Sequence, residues 1–313
     1  MHAPLLLSAA VASLGDFKNY VPTGLADGGV YALAALGLVL IYRVSGVLNF
    51  AHGAVATVSA FVAYTFAVQL PLPGWVPAPL LGLVAAIVTG CVLGFLIEVL
   101  TIRPLTGRPA IVKVAVTIGW LLVLQQLAGL IWGFTAYHAP INLVSEEGTF
   151  RVPFTAVRFG YNNLLVIVVA LALSAATALL LKRTTLGASM RAVSDDPHGA
   201  RLWGINVDRV TALSWVIGSA MAAIAGVLIT PFITFTPFTM TLIVVNSFAA
   251  ALIGRLQSLT FTVVGAMLLG LAQQLPATFG AGGSANQQAV TFAVVLLALA
   301  VLFRPSVRTL RTV

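Results

Sequence analysis

The sequence predicts an all-α, polytopic membrane protein. Three observations carry that prediction. Of 313 residues, 60% are hydrophobic and only 8% are charged, against about 25% charged in a soluble domain. Mean hydropathy is +1.05. The apolar residues fall in runs of about twenty, the length an α-helix needs to cross a bilayer core. This composition excludes a soluble enzyme, a disordered regulator and a nucleic-acid-binding domain. The formal net charge of +8 would suggest nucleic acid in a soluble protein. Here the basic residues sit in short loops, where the positive-inside bias accounts for them.

Taken in order, apolar runs fall at about 22–42, 50–70, 79–102, 111–134, 161–181, 210–230, 241–254, 257–275 and 287–303. The expectation is therefore about nine membrane segments in a single domain, 1–313. The seventh run is short, which leaves a tilted, a broken and a re-entrant segment all open. Residues 1–20 precede the first run. They hold an apolar patch at Leu5–Leu7 and an Ala10-Val11-Ala12 sequence like a cleavage site, but lack the basic start of a signal peptide. They are read as a retained external segment.

The loops orient the chain. If 182–209 is cytoplasmic, then Arg43, Arg103, Arg108, Lys113, Lys182, Arg183, Arg191, Arg201, Arg209, Arg255, Arg304, Arg308 and Arg311 all lie at inner ends. Only Lys18, Arg151 and Arg158 lie outside. That asymmetry places the N-terminus outside and the C-terminus in the cytoplasm. The segment 135–160, with Glu146 and Glu147, becomes the largest external loop. Two stretches share a pattern: Leu40-Ile41-Tyr42-Arg43 leads to Gly53-Ala54, and Leu252-Ile253-Gly254-Arg255 leads to Gly265-Ala266 at the same offset. An internal repeat and coincidence both explain it.

Chemistry-bearing residues are few. The one cysteine, Cys91, sits in an apolar run and reads as a small core residue. His2, His52, His138 and His198 show no metal-ligand spacing, so neither a metal nor another cofactor is expected. Asp27 and Glu98 lie near span ends and read as structural. An ion-coupled carrier needs a deep acidic site, and none is evident. The motifs of intramembrane serine and zinc proteases are absent, as is the G-x-x-x-x-G-K-[ST] phosphate loop. The cluster Asn49-Phe50-Ala51-His52-Gly53 puts an amide, an aromatic and an imidazole at the start of a span. Spacing alone leaves two readings open, a helix cap with a satisfied imidazole and the lining of a cavity. In 182–209, Asp195 or Asp196 before Pro197 predicts a helix start and Gly204 its end. A short helix from Pro197 to Trp203 would carry Leu202 and Trp203. It either docks into a partner groove or rests on the membrane surface.

The chain resembles the permease subunits of ABC importers for branched-chain amino acids, the LivH-like family. The likeness rests on three motifs. The first is Gly28-Gly29-Val30-Tyr31-Ala32-Leu33-Ala34-Ala35-Leu36-Gly37-Leu38, running through Ile41-Tyr42-Arg43 to Asn49-Phe50-Ala51-His52-Gly53. The second runs from Arg191-Ala192-Val193 through Gly204-Ile205-Asn206-Val207-Asp208-Arg209 to Ala223-Ile224-Ala225-Gly226-Val227-Leu228. The third, weaker, runs from Ile253-Gly254 through Gly265-Ala266 to Gly270-Leu271. The resemblance implies a bacterial inner-membrane transport subunit, not an enzyme. It implies two cytoplasmic ABC ATPase subunits, a second permease subunit of the LivM-like type and an external substrate-binding protein as partners, in contact with membrane lipid and not nucleic acid. The loop helix would then be a coupling helix seated in an ATPase, with Arg191, Asp195, Asp196, Pro197, Ala200, Arg201, Leu202, Trp203, Gly204 and Ile205 at the contact. The stretch His198 to Gly204 looks like the importer motif E-A-A-x-x-x-G, with His198 and Gly199 replacing its first two residues. Tyr31, Asn49, Phe50 and His52 are the expected pathway residues. The chain departs from the family where Ala54 replaces an acidic residue and where Arg255 and Thr260-Phe261 interrupt the usual glycine and proline pairs. Related permeases for urea, short amides and other small acids keep the substrate open.

Overall fold

The computed structural model describes residues 17–71, 73–74, 76–135, 141–144, 149–151, 158–234, 236–278 and 284–302. Backbone polar groups in hydrocarbon must be satisfied within the chain, and the apolar runs satisfy them as helices. After a turn of 3₁₀ helix at Phe17–Asn19, the order is α1 (Val21–Ser45), α2 (His52–Tyr64), α3 (Ala78–Ile97), α4 (Ala110–Trp132), β1 (Thr149–Arg151), β2 (Arg158–Gly160), α5 (Tyr161–Arg183), α6 (Thr185–Asp195), α7 (Pro197–Leu202), α8 (Val207–Ile229), α9 (Thr239–Ile253), α10 (Leu259–Gln273), α11 (Leu275–Thr278) and α12 (Ser284–Leu302). Two helices run on into π turns, α2 through Thr65–Gln69 and α3 through Glu98–Ile102.

Six helical stretches among the described residues are long and apolar enough to cross a membrane: Val21–Ser45, Ala78–Ile102, Ala110–Trp132, Tyr161–Arg183, Val207–Ile229 and Leu259–Thr278. Each matches one of the nine apolar runs. The other three runs form α2, α9 and α12, which are shorter or less uniformly apolar. The region 135–160 holds an antiparallel pair, β1 on β2, with Phe150 opposite Phe159. Residues 1–16 of the expected external segment 1–20, with Arg304, Arg308, Arg311, Glu146, Glu147, His2 and His138, lie outside the described residues.

α1 and α8 form the centre. Their most apolar windows are 89% and 72% buried, against 22–28% for α3, α4 and α5. The peripheral helices turn aliphatic stripes outward, such as Val84, Val88 and Val92 on α3, at the four-residue spacing of one helix face. Small residues let the central helices approach their neighbours. A Cβ on Gly28 would lie 2.8 Å from Met267 Cα on α10, and one on Gly218 would lie 2.8 Å from the Gly37 carbonyl oxygen on α1. α3 meets α8 in the same way through Gly90, where a Cβ would lie 2.7 Å from the Ser219 carbonyl oxygen.

α2 does not begin where α1 ends. Gly46, at φ 67°, closes α1 with its N–H on the Tyr42 carbonyl. The chain then climbs back into the bundle as buried, non-helical backbone. Thr117 of α4 serves this stretch, donating to Leu48 O at 3.3 Å and accepting from Phe50 N at 3.2 Å. His52 reaches Ala34 O at 3.0 Å. Ala34 lies ~16 Å along α1 from Ser45 at helical rise, so α2 starts near the middle of the bundle. Irregular backbone at that depth is stable only where protein covers it. The two stretches with a shared sequence pattern do not share a backbone: Gly53 is the second residue of α2, whereas Gly265 lies inside α10.

Candidate functional site

Two features stand at opposite ends of the bundle. At one end the C-termini of α1 and α3, the N-termini of α4 and α8, and α6 and α7 come together around Arg43, Arg103, Lys113, Arg191 and Arg201. α7 is built by its sequence. Asp196 accepts from His198 N at 2.9 Å as N-cap, and Pro197 takes the first helical position. Its end is a Schellman turn: Ile205 N bonds Ala200 O at 3.0 Å, and Gly204 adopts φ 79°. Trp203 is the C-cap, so the expected Pro197–Trp203 helix is one residue shorter and otherwise as read. Leu202 is 79% exposed and Trp203 88%.

The remaining predicted contact residues divide by face. Arg191, Asp195, Asp196, Pro197, Arg201 and Gly204 are exposed, Ile205 is half-buried and Ala200 is buried. Ala200 packs with Met190 and Val193 of α6, Leu40 and Val44 of α1, and Val207 and Val210 of α8. The expected loop is therefore two helices, α6 and α7, with the first seated in the core. Thr184 caps α6 by accepting from Gly187 N at 3.0 Å, a signal present in the sequence. Beside α7 lies a polar cleft of about 250 Å³. It holds two ion pairs, Glu98–Arg103 at 2.8 Å and Arg201–Asp208 at 3.3 Å.

At the other end, α1, α8, α9, α10 and α12 enclose a cavity of about 300 Å³. Its polar side is a network. Tyr31 Oη donates to Gln273 Oε1 at 2.9 Å, Gln273 Nε2 donates to Thr291 Oγ1, and Thr291 Oγ1 donates to Asn246 Oδ1 at 2.8 Å. Beside it Gln274 Nε2 donates to Asp27 Oδ2 at 2.9 Å. Its apolar wall is Ile229, Phe232, Ile233 and Ile243. Its volume lies at the small end of the range for small-molecule sites, and its lining sets convergent polar groups against one apolar wall.

Of the four expected pathway residues, the cavity takes only Tyr31. Asn49 and His52 are buried near the bundle centre, and Phe50 packs on Phe248 with ring centroids 5.1 Å apart. The cap reading does not hold, since no side chain caps α2, and the His52 imidazole is only half satisfied. Nε2 donates to Ala34 O, while Nδ1 and both side-chain polar atoms of Asn49 lack partners, as do Trp215 Nε1 and Ser219 Oγ. Buried polar atoms left unpaired are uncommon and costly. Sequence reading missed Asn246, Gln273 and Gln274, and treated Asp27 as structural. The available signal was the Gln273-Gln274 and Gln287-Gln288 pairs interrupting or flanking apolar runs. Among the described residues, no group of three His, Cys, Asp or Glu side chains could hold a metal.

Residues 20–299 match the family described as branched-chain amino acid transport system / permease component. The chain is 31% identical over 294 residues to the high-affinity branched-chain amino acid transport system permease protein BraD of Pseudomonas aeruginosa, covering 93% of this chain and 94% of that one. It is 31% identical over 295 residues to LivH of Escherichia coli, covering 91% and 94%. The probable LivH permease of Methanocaldococcus jannaschii is 29% identical over 301 residues, covering 94% and 93%. No solved structure matches the chain. The chain belongs to the family of branched-chain amino acid transport system permease components.

Proposed function

We propose that the chain is the transmembrane permease subunit of an ABC importer. It translocates branched-chain or closely related amino acids delivered by an external binding protein. Two cytoplasmic ABC ATPase subunits drive it, and a LivM-like paralogue completes the membrane pair. The relatives' transport names support the substrate class. The observation that carries the drive mechanism is α7: an aromatic 88% exposed on a helix whose opposite face is fixed in the core. Exposed apolar side chains rimmed by charge mark a docking surface.

The same reading orients the molecule. The basic end is cytoplasmic, the N-terminus lies outside and the C-terminus inside. Nine segments enter the membrane, the six long ones together with α2, α9 and α12. α2 enters only part of the depth on its cytoplasmic side. Closure of the ATPase pair pushes on Leu202 and Trp203. Ala200, Met190 and Val193 pass the push to α1 and α8, which carry it as rigid bodies to the outer cavity. Tyr31 lines the outer half of the pathway. Asn49, Phe50 and His52 line its inner half, where unpaired polar atoms find partners as the bundle opens.

The test is uptake of radiolabelled leucine, isoleucine and valine by cells in which this chain and its ATPase subunits are the only route. ATP-dependent uptake of at least one is expected. Uptake that persists without the ATPases and collapses with a protonophore would overturn the reading in favour of an ion-coupled carrier.

A further inference from the structure

We propose that the outer cavity is a selectivity site for the ammonium group of an α-amino acid, with Asp27 as the residue that reads it. The proposal rests on the reading of the chain as an amino-acid permease and names the atoms that would make it selective. Gln274 occupies Oδ2 of Asp27 at 2.9 Å, which leaves Oδ1 for a ligand. No basic side chain lines the cavity among the described residues, so its only formal charge is that carboxylate. A carboxylate held within the membrane region is costly unless paired, and an arriving ammonium recovers part of that cost. A simple carboxylic acid would be repelled.

The rest of the lining suits the other two parts of a zwitterion with an aliphatic tail. The amides of Gln287 and Gln288 face the same space and are free to donate to a carboxylate. Ile233 and Ile243 form the apolar wall for the side chain. Tyr31 and Gln273 bond each other and hold the floor of the site, so they position the lining instead of reading the ligand.

Cysteine protection in the intact importer, reconstituted in nanodiscs, tests the assignment. Ile233→Cys in a Cys91→Ala background places a thiol in the cavity wall for a methanethiosulfonate reagent. Leucine and isoamylamine, which carry the ammonium, should each slow labelling at least fivefold. 4-Methylpentanoate, which lacks it, should not. Asp27→Asn keeps an oxygen for Gln274 and should abolish protection, whereas Asp27→Glu should retain part of it. In cells, Asp27→Asn should raise the KM for leucine at least tenfold while the complex still assembles. Equal protection by 4-methylpentanoate, or undiminished protection in Asp27→Asn, overturns the site. Leucine uptake by the importer with an unchanged KM in Asp27→Asn also overturns it and leaves the permease reading standing. An importer that takes up no branched-chain amino acid overturns both.

Discussion

At Gly28 a single methyl group would lie 2.8 Å from the Met267 Cα and 2.9 Å from the Ala266 carbonyl oxygen. Both obstacles are backbone, so no side chain can rotate out of the way. Gly28→Leu must push α10 off α1, and overpacking of this kind costs about 1–3 kcal/mol. The expected outcome is a lower thermal aggregation midpoint in detergent, with Gly28→Ala shifted less. A second residue-scale case is the Glu98–Arg103 pair. The Glu98 side chain is 1% exposed and Arg103 37%, so the partners are not equivalent. Arg103→Ala strands a buried carboxylate, at a cost of about 3–5 kcal/mol. Glu98→Gln leaves a neutral amide beside a cation that can reach water. Arg103→Ala should therefore depress the midpoint more than Glu98→Gln, and the reverse order would show that Glu98 is hydrated in the membrane-embedded protein.

At the scale of elements, α7 can be divided experimentally from the bundle that holds it. Trp203→Ala removes exposed area and touches little of the core, and loss of an aromatic anchor at an interface costs about 2 kcal/mol or more, roughly thirtyfold in affinity. Membrane insertion should be normal while co-purifying ATPase and substrate uptake fall sharply. Gly204→Glu should do the same for two reasons, a new charge at the contact and a side chain at φ 79°. Gly204→Asn separates them, because asparagine tolerates that conformation and should retain most coupling. Unchanged uptake in both Trp203→Ala and Gly204→Glu would remove α7 from the drive. This helix was legible in the sequence because its signals are local: a capping aspartate, a proline at the first turn and a glycine at the stop. α6 was passed over because its polar residues hide a buried face at Met190 and Val193. The mid-depth start of α2 was not legible at all. It depends on a threonine of α4, 67 residues from Phe50, and no local pattern announces it. The outer cavity was legible only at Tyr31. Its network joins side chains up to 247 residues apart, and their convergence is a property of packing.

For the whole molecule, the question is where the energy enters. The sequence has no phosphate loop, so ATP chemistry has no residues to act through here. Of the described acidic groups in the long spans, Asp27 is bonded to Gln274 in the outer cavity, while Glu98 and Asp208 are tied to Arg103 and Arg201 at the basic end. Between them the centre offers uncharged polar atoms such as those of Asn49 and Ser219. A proton relay needs ionisable groups in succession across the membrane, and among the described residues the buried core between these two ends presents a lone imidazole, His52, with Nε2 on Ala34 O. A conduit that binds nothing whose free energy falls as solute moves can lower the barrier to passage but cannot make transport run uphill. The purified chain in liposomes should therefore hydrolyse no ATP and build no leucine gradient, with or without an imposed proton or sodium gradient. Adding the ATPase subunits, the second permease subunit and the binding protein should restore both activities together. Measured accumulation of solute by the chain alone would place the motor inside the bundle and reassign Asp27 from selectivity to ion coupling.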